Sequence, residues 1–392
     1  MGSIILKRGK EKSLFRYHPW IFSGAVKSKE SSVKEGDIVK VFNEEGNFLA
    51  AGHWQIGSIA VRILTFEDIE INLQFWTERI LRALELRKAA GLADRADNNV
   101  FRLVHGEGDG LPGLVVDCYG DVAVVQFHSV GMYLSRNEIA EALRTVLGPR
   151  LKAIYNKSEG TLPYKAGLNA ENGYLWGSAD SFVAVENGLK FHVDWLEGQK
   201  TGFFIDQREN RALIEHYSAG RDVLNMFCYT GGFSFYAMRG GAKSVTSVDV
   251  SERAVELANR NVELNFPGDP RHSAYASEAF EFLNGAADKY DLIILDPPAF
   301  AKHKNVLDNA IQGYKRLNRK AFEVIKTGGI IFTFSCSQVM TRDLFRQTVF
   351  TAAANTGRRI KILHQLTQPA DHPVSIYHPE GEYLKGLVMY VE

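Results

Sequence analysis

The chain has 392 residues, 45% of them hydrophobic, and its 46 basic and 46 acidic side chains balance to zero formal charge. That length predicts two or three domains with real cores, and the balance excludes a histone-like or polybasic protein while leaving room for a local nucleic-acid-binding patch. Three cysteines, Cys118, Cys228 and Cys336, lie far apart with no C-x-x-C pair, which argues against a disulfide framework or a zinc site and fits a reducing compartment. The apolar run near the N-terminus is too short for a signal peptide and no run approaches a membrane span, so the chain reads as cytoplasmic.

Residues 1–70 carry closely spaced strand signals. Asp37 to Phe42 alternates with period two, Asn43 to Asn47 is turn chemistry, and Phe48 to Ala51 and Ser58 to Leu64 resume apolar runs. This predicts a small β-rich domain. Its first forty residues hold nine basic side chains against four acidic ones, among them Lys7, Arg8, Lys10 and Arg16, interleaved with Phe15, Tyr17, Trp20 and Phe22. A basic, aromatic patch suits single-stranded or irregular RNA. The alternative is a solvated face over a small core that contains Trp20 and Phe22.

Residues 71–180 read as a linker helix and a small α+β domain. Asn72 can cap a helix in which Leu73, Trp76, Ile80 and Leu84 share a face, and Gly91 stops it. Leu114 to Asp117 and Val122 to Phe127 form a hairpin around Tyr119-Gly120-Asp121. Ser135, three residues before Glu138, predicts a capping box for the next helix. No chemistry is legible here, and a spacer or docking role is expected.

Residues 181–392 have the alternating strands and helices of a doubly wound sheet. Gly198 to Arg211 packs polar and aromatic residues without period, which suggests a loop that covers a ligand. Val223 to Phe227 is the length of one buried parallel strand. The turn Tyr229-Thr230-Gly231-Gly232 follows, then a helix from Phe233, and a second strand ending in Asp249. Glycines let backbone amides approach a ligand, and a strand-end carboxylate can accept both hydroxyls of a ribose. The pattern is not G-x-G-x-x-G, so NAD or FAD is not expected, and S-adenosylmethionine fits better. Tyr290 to Asp296 is a further strand with an acidic end, continued by Pro297-Pro298-Ala299-Phe300, a stiff turn that holds a carboxylate and an aromatic ring in place. Ile330 to Phe334 delivers Ser335-Cys336-Ser337 to the same sheet edge. His364, His372 and His378 lack metal-ligand spacing, and no metal is expected.

Asn225 to Phe233, Asp296 to Phe300, Phe334-Ser-Cys-Ser337, Ala370-Asp-His-Pro373 and Glu382-Tyr-Leu-Lys-Gly386 occur in order. With them the chain resembles the rRNA large-subunit methyltransferase I family, S-adenosylmethionine-dependent 23S rRNA cytosine-C5 methyltransferases. Tyr17 to Phe22 likewise looks like part of a PUA domain, an RNA-binding β-barrel module. The resemblance implies a PUA-like barrel, a small α+β central domain and a Rossmann-like class I methyltransferase sheet. It implies that Asp249 takes the ribose and that Phe227, Tyr229, Thr230, Gly231, Gly232 and Phe233 lie under the cofactor. Glu278 would accept from the adenine amine, where the family more often has Asp. Lys200, Thr201, Phe204, Asp206, Gln207 and Arg208 would close over the cofactor, with Pro297 beside it. Lys7, Arg8, Lys10, Arg16 and Trp20 would touch RNA. The partner implied is 23S rRNA or a large-subunit assembly particle, and a homodimer is left open.

Cytosine C5 is a poor nucleophile, and a thiolate added at C6 makes it enamine-like. Cys336 is the nucleophile this implies, with Asp296 holding a proton on the N3 side. Many RNA cytosine-C5 methyltransferases carry a second cysteine after the prolines, where this chain has Ala299 and Phe300. Asp-Pro-Pro-aromatic turns also serve base N-methylation without a covalent step, and that reading stays open. So does an rRNA-binding assembly factor without turnover.

Overall fold

The computed structural model describes residues 2–163, 168, 170–179, 182–301 and 303–392. The chain divides into two compact units. One comprises Met1–Asn187, Val193–Ile205 and Ala370–Gly381; the other comprises Gly188–His192, Asp206–Pro369 and Glu382–Glu392.

In the first unit, β1 (Gly2–Leu6), β2 (Trp20–Phe22), β3 (Val26–Lys29), β4 (Ile38–Phe42), β5 (Phe48–Trp54) and β6 (Ile59–Thr65) form a six-stranded sheet in the order β2-β6-β5-β4-β1-β3. Period-two alternation puts Val39 and Val41 inward with Ile4, Leu6, Ile21 and Val61. Gly52 is required by close approach, since a Cβ there would meet the Arg62 carbonyl oxygen at 2.1 Å.

Helix α1 (Leu73–Ala89) starts as expected, with the Asn72 side chain accepting from the Phe75 N–H at 3.2 Å. Its buried face is Phe75, Trp76, Ile80, Ala83, Leu84 and Arg87. Leu73 shares that face by angle but, as the first residue of the helix, remains exposed. Buried Arg87 is satisfied by Asp109, by the Arg102 carbonyl (2.7 Å) and by the Asp371 carbonyl (2.8 Å). A five-stranded sheet follows, built from β7 (Val100–His105), β8 (Leu114–Tyr119), β9 (Val122–Phe127), β10 (Ala153–Asn156) and β11 (Gly173–Gly177) in the order β11-β10-β9-β8-β7. The β8–β9 hairpin turns at Gly120, whose φ is +62°. Between β9 and β10 lie α2 (Val130–Leu134) and α3 (Arg136–Leu147). The expected capping box does not form. The chain runs straight from α2 into α3, so Ser135 holds φ −81° and ψ 5°, away from the extended geometry a side-chain cap needs. Glu138 instead accepts the Trp76 indole N–H at 2.9 Å. Strand β12 (Phe182–Glu186) completes this unit's strands.

The second unit begins with β13 (Leu189–Val193) and α4 (Arg208–Tyr217). Then come β14 (Asp222–Met226), α5 (Gly232–Arg239), β15 (Ser244–Asp249), α6 (Glu252–Asn265), β16 (His272–Ala276) and α7 (Ala279–Asn284). The series ends with β17 (Leu292–Leu295), α8 (Leu307–Val324), β18 (Gly329–Ser335), α9 (Arg342–Ala354), β19 (Ile360–Leu366) and β20 (Lys385–Val391). The seven-stranded sheet has the order β16-β15-β14-β17-β18-β20-β19, parallel except for β20, which runs antiparallel to β18 and β19. Alternate residues of the same strands enter separate cores. Leu224, Ile293 and Ile331 pack with α7, α8 and α9, whereas Val223, Ile294 and Phe332 pack with α4, α5 and α6. Burial on both faces explains why these strands read as continuous apolar runs. This is the expected doubly wound sheet, and its strand order reverses between β14 and β17, where ligands bind in open α/β sheets.

Candidate active site

The glycine turn after β14 is held in a conformation that side chains resist. Phe227 (φ 60°), Tyr229 (φ 47°) and Gly231 (φ 80°) are all left-handed. Gly231 needs its missing Cβ twice over, because that atom would also lie 3.0 Å from the Ala258 Cβ of α6. Non-glycine residues held at positive φ mark a backbone kept under strain, a feature that clusters at ligand sites. Asp249, at the end of β15, accepts the Tyr229 N–H and the Ser251 N–H, each at 3.0 Å. The carboxylate therefore clamps the turn and keeps lone pairs for a diol. Thr230 is buried, its carbonyl accepts from Asn261 Nδ2 at 2.9 Å, and its hydroxyl has no hydrogen-bond partner among the described residues. That unpartnered hydroxyl, a turn held at positive φ and a strand-end carboxylate together fit a nucleoside-containing cofactor. Gly232 and Phe233 open α5, and the Phe233 ring stacks on Phe334 of β18 at 5.7 Å. Glu278 precedes α7 with its side chain exposed, able to accept from an amine.

The covering loop is split between the two units. Lys200, Thr201 and Phe204 belong to the first. There the Thr201 hydroxyl donates to Asp117 Oδ2 (2.6 Å) and takes the Tyr119 hydroxyl (3.0 Å), so it is already committed. Lys200 is exposed and left-handed, with φ 53°. Asp206, Gln207 and Arg208 belong to the second unit, and Gln207 Nε2 donates to Asp296 Oδ1 at 3.1 Å. Asp206 accepts the Tyr383 hydroxyl on Oδ2 at 2.7 Å.

Asp296 follows β17, beside buried Pro297. Burial, reinforced by the neighbouring Asp206 carboxylate, pushes its carboxyl up to about 7, against the opposing Gln207 hydrogen bond and the Arg211 charge. The turn after it is fixed by Phe300, whose ring lies on Tyr314 of α8 at 4.6 Å and against Gly313, where a Cβ would come within 2.9 Å. Burial also pushes the Tyr314 phenol up to about 12.

Cys336 follows β18, the strand next to β17 in the sheet, and is the partly exposed cysteine of the three; Cys118 and Cys228 are buried. Burial raises both of those thiols far above the ordinary range. Ser337 donates its hydroxyl to the Ala301 carbonyl at 2.5 Å, tying the cysteine turn to the proline turn. Two residues absent from the sequence-based assignment also meet here. Arg211 acts on Asp296, and Lys385 donates to the Ser337 carbonyl at 2.6 Å. Lys385 lies in the Glu382 to Gly386 motif, but its place beside Ser337 comes from the pairing of β18 with β20, which is not local in sequence.

Of the residues assigned to RNA, Lys7, Arg8, Lys10 and Arg16 are exposed. Trp20 is half-buried, its indole N–H donating to Glu107 at 2.8 Å and its ring lying under Arg62 at 5.4 Å. Phe22, offered as core, is 50% exposed, and Tyr17 packs on Tyr377 at 5.3 Å. Among the described residues, His18, His378 and Glu380 converge to within 4.8 Å. His18 Nδ1 lies 3.2 Å from the Trp20 nitrogen and 3.3 Å from its carbonyl oxygen, and Nε2 lies 3.7 Å from Glu380. His372 is buried against Asp371, with Nδ1 3.0 Å from Oδ1. Among the described residues no helix is long and apolar enough to cross a membrane.

A model of S-adenosylmethionine-dependent methyltransferases matches residues 151–378, and a model of PUA-like domains matches residues 4–66. The chain is 42% identical over 396 residues to ribosomal RNA large subunit methyltransferase I of Aeromonas hydrophila, covering 99% of each, and 43% identical to that of Alteromonas mediterranea, covering 100% and 99%. A crystal structure described as a methyltransferase complexed with SAH superposes with a TM-score of 0.85 at 25% identity over 100% of both chains. A further methyltransferase structure, from Streptococcus mutans, gives 0.84 at 24% identity and shows the same fold. The turn, the strand-end carboxylate and these full-length similarities agree, and the chain belongs to the ribosomal RNA large subunit methyltransferase I family of S-adenosylmethionine-dependent methyltransferases.

Proposed function

We propose that this protein methylates C5 of a cytosine in large-subunit ribosomal RNA through a covalent adduct on Cys336. The observation that carries the reading is a partly exposed thiol at the end of β18 with a carboxyl of pKa about 7, Asp296, at the end of neighbouring β17. S-adenosylmethionine, when bound, supplies an electrophilic methyl group; Asp249, Thr230 and the Gly231 turn are the residues that would hold it.

The Cys336 thiolate forms a bond to C6 of the ring. Asp296, protonated up to about pH 7, holds a proton at N3 while electron density moves toward C5. C5 then forms its bond to the methyl carbon as the sulfonium C–S bond breaks. Loss of the C5 proton to a base and departure of the Cys336 thiolate restore the C5–C6 double bond. Neither Cys118 nor Cys228 suits the role of that base, because burial keeps both thiols protonated. The target base has to leave any stacked structure to reach the thiol. Exposed Lys7, Arg8, Lys10 and Arg16 of the PUA-like part supply phosphate contacts that dock the RNA.

The test uses labelled S-adenosylmethionine and ribosomal RNA lacking the modification. Label should reach RNA with wild-type protein and not with Cys336→Ala, and RNA containing 5-fluorocytosine should trap a covalent complex that the variant cannot form. Full activity in Cys336→Ala would overturn the adduct and point to methylation of a base nitrogen. Cofactor binding with no transfer to any RNA would point to an assembly factor.

A further inference from the structure

Taking Cys336 as the nucleophile, the reaction needs a thiolate, yet a free thiol with a pKa of about 8.5 is only a few per cent ionised near neutrality. Something in the fold must favour the anion. Three of the described neighbouring groups do not. The Ser337 hydroxyl spends its proton on the Ala301 carbonyl, and Tyr314 and Asp296, the acidic groups of the same pocket, would oppose a second negative charge when ionised.

A group that can do so comes from the last strand. β20 pairs antiparallel with β18 so that Lys385 lies opposite Ser335, the residue before Cys336. The Lys385 side chain then reaches forward, and its ammonium donates to the carbonyl of Ser337, the residue after Cys336, at 2.6 Å. Lys385 thus brackets the nucleophile, its backbone paired with the residue before Cys336 and its ammonium bonded to the residue after it. Lys385 is 6% exposed, and among the described residues no carboxylate forms an ion pair with it. Among the described residues, Glu382 and Arg342 are the further charged groups acting on it, and they lie 3.5 Å from each other. A buried ammonium without a carboxylate is costly, and its cost falls when an anion forms beside it.

We infer that Lys385 is a positioning residue for methyl transfer: its ammonium stabilises the thiolate of Cys336 and fixes the turn that presents it. Burial pulls Lys385 itself down to about 8, with Cys336 and Glu382 pulling the other way, so its charged form prevails at pH 7. A charged partner beside a thiol is a general way to activate cysteine. It also gives β20 a chemical task besides closing the sheet.

The experiment follows the rate of Cys336 alkylation by iodoacetamide against pH, read on the Cys336 peptide by mass spectrometry, in full-length protein without RNA. The wild-type midpoint should lie below about 8.5, the value of a free thiol. Lys385→Met should raise it by about one unit or more, an alkylation rate roughly tenfold lower at pH 7, while Lys385→Arg stays near wild type. Retained S-adenosylmethionine binding shows that the variants are folded. A wild-type midpoint at or above the free-thiol value overturns the inference without any variant, and so does a Lys385→Met profile that superposes on wild type. Failure of the adduct itself reads out separately, as methyl transfer by Cys336→Ala.

Discussion

The two halves of the sheet edge are built in different ways. The cofactor half is local. Phe227 to Phe233 and Asp249 come from one β-α-β stretch, and the clamp from Asp249 to the Tyr229 N–H closes within it. The reacting half is assembled from four distant segments. Gln207 just before α4 with Arg211 inside it, Asp296 after β17, Cys336 after β18 and Lys385 on β20 meet only because the sheet order reverses and β20 returns antiparallel. A local site tolerates change elsewhere in the sheet, whereas a site made of strand ends depends on every pairing that aligns them.

That contrast can be broken or sharpened by substitution. Cys336→Ala should have the largest effect, lowering methyl transfer more than about 10³-fold while cofactor affinity holds, because a missing nucleophile has no substitute. Asp296→Asn should cost on the order of 10²-fold. It should also remove a pH dependence. The acid form of Asp296 is lost as pH rises through about 7, so the wild-type rate should fall across that value and the variant's should not. Stability carries the same sign. The folded protein keeps a proton that the unfolded chain releases above pH 3.8, so wild-type stability relative to the variant should decline from about pH 4 to pH 7 in denaturant titrations.

Asp249→Ala should act on the other half. Cofactor affinity by calorimetry should drop about 100-fold, as two or more charge-assisted hydrogen bonds are lost, and Cys336 alkylation should change little. Gly231→Ala should destabilise the fold by about 1–2 kcal/mol through its left-handed backbone and the close α6 contact, and weaken the cofactor with it. If either variant shifts Cys336 reactivity strongly, the two halves are not separable. Replacing Lys7, Arg8, Lys10 and Arg16 together by Ala should have the smallest effect on chemistry. It should reduce RNA affinity and flatten its salt dependence with cofactor binding unchanged, and equal loss of both would contradict a docking role.

Sequence by itself determined the parts whose cause is local. The apolar runs of β14 to β18, the Asn72 cap, the glycine turn and the strand-end acids all follow from backbone rules acting over a few residues. Local rules also misled where a neighbour intervened. Ser135 and Glu138 spell a capping box, but continuity with α2 bends Ser135 toward helix and Trp76 takes Glu138. Phe22 and Trp20 read alike as core, yet one is exposed and the other is pinned by Glu107. Tertiary structure alone decided the electrostatics of the reacting end. The shift of Asp296 needs Asp206 and burial, and the Lys385 ammonium reaches the Ser337 carbonyl through the β18–β20 register. Charge interactions act through space, and no pattern along the chain encodes which distant side chains will share a low-dielectric pocket.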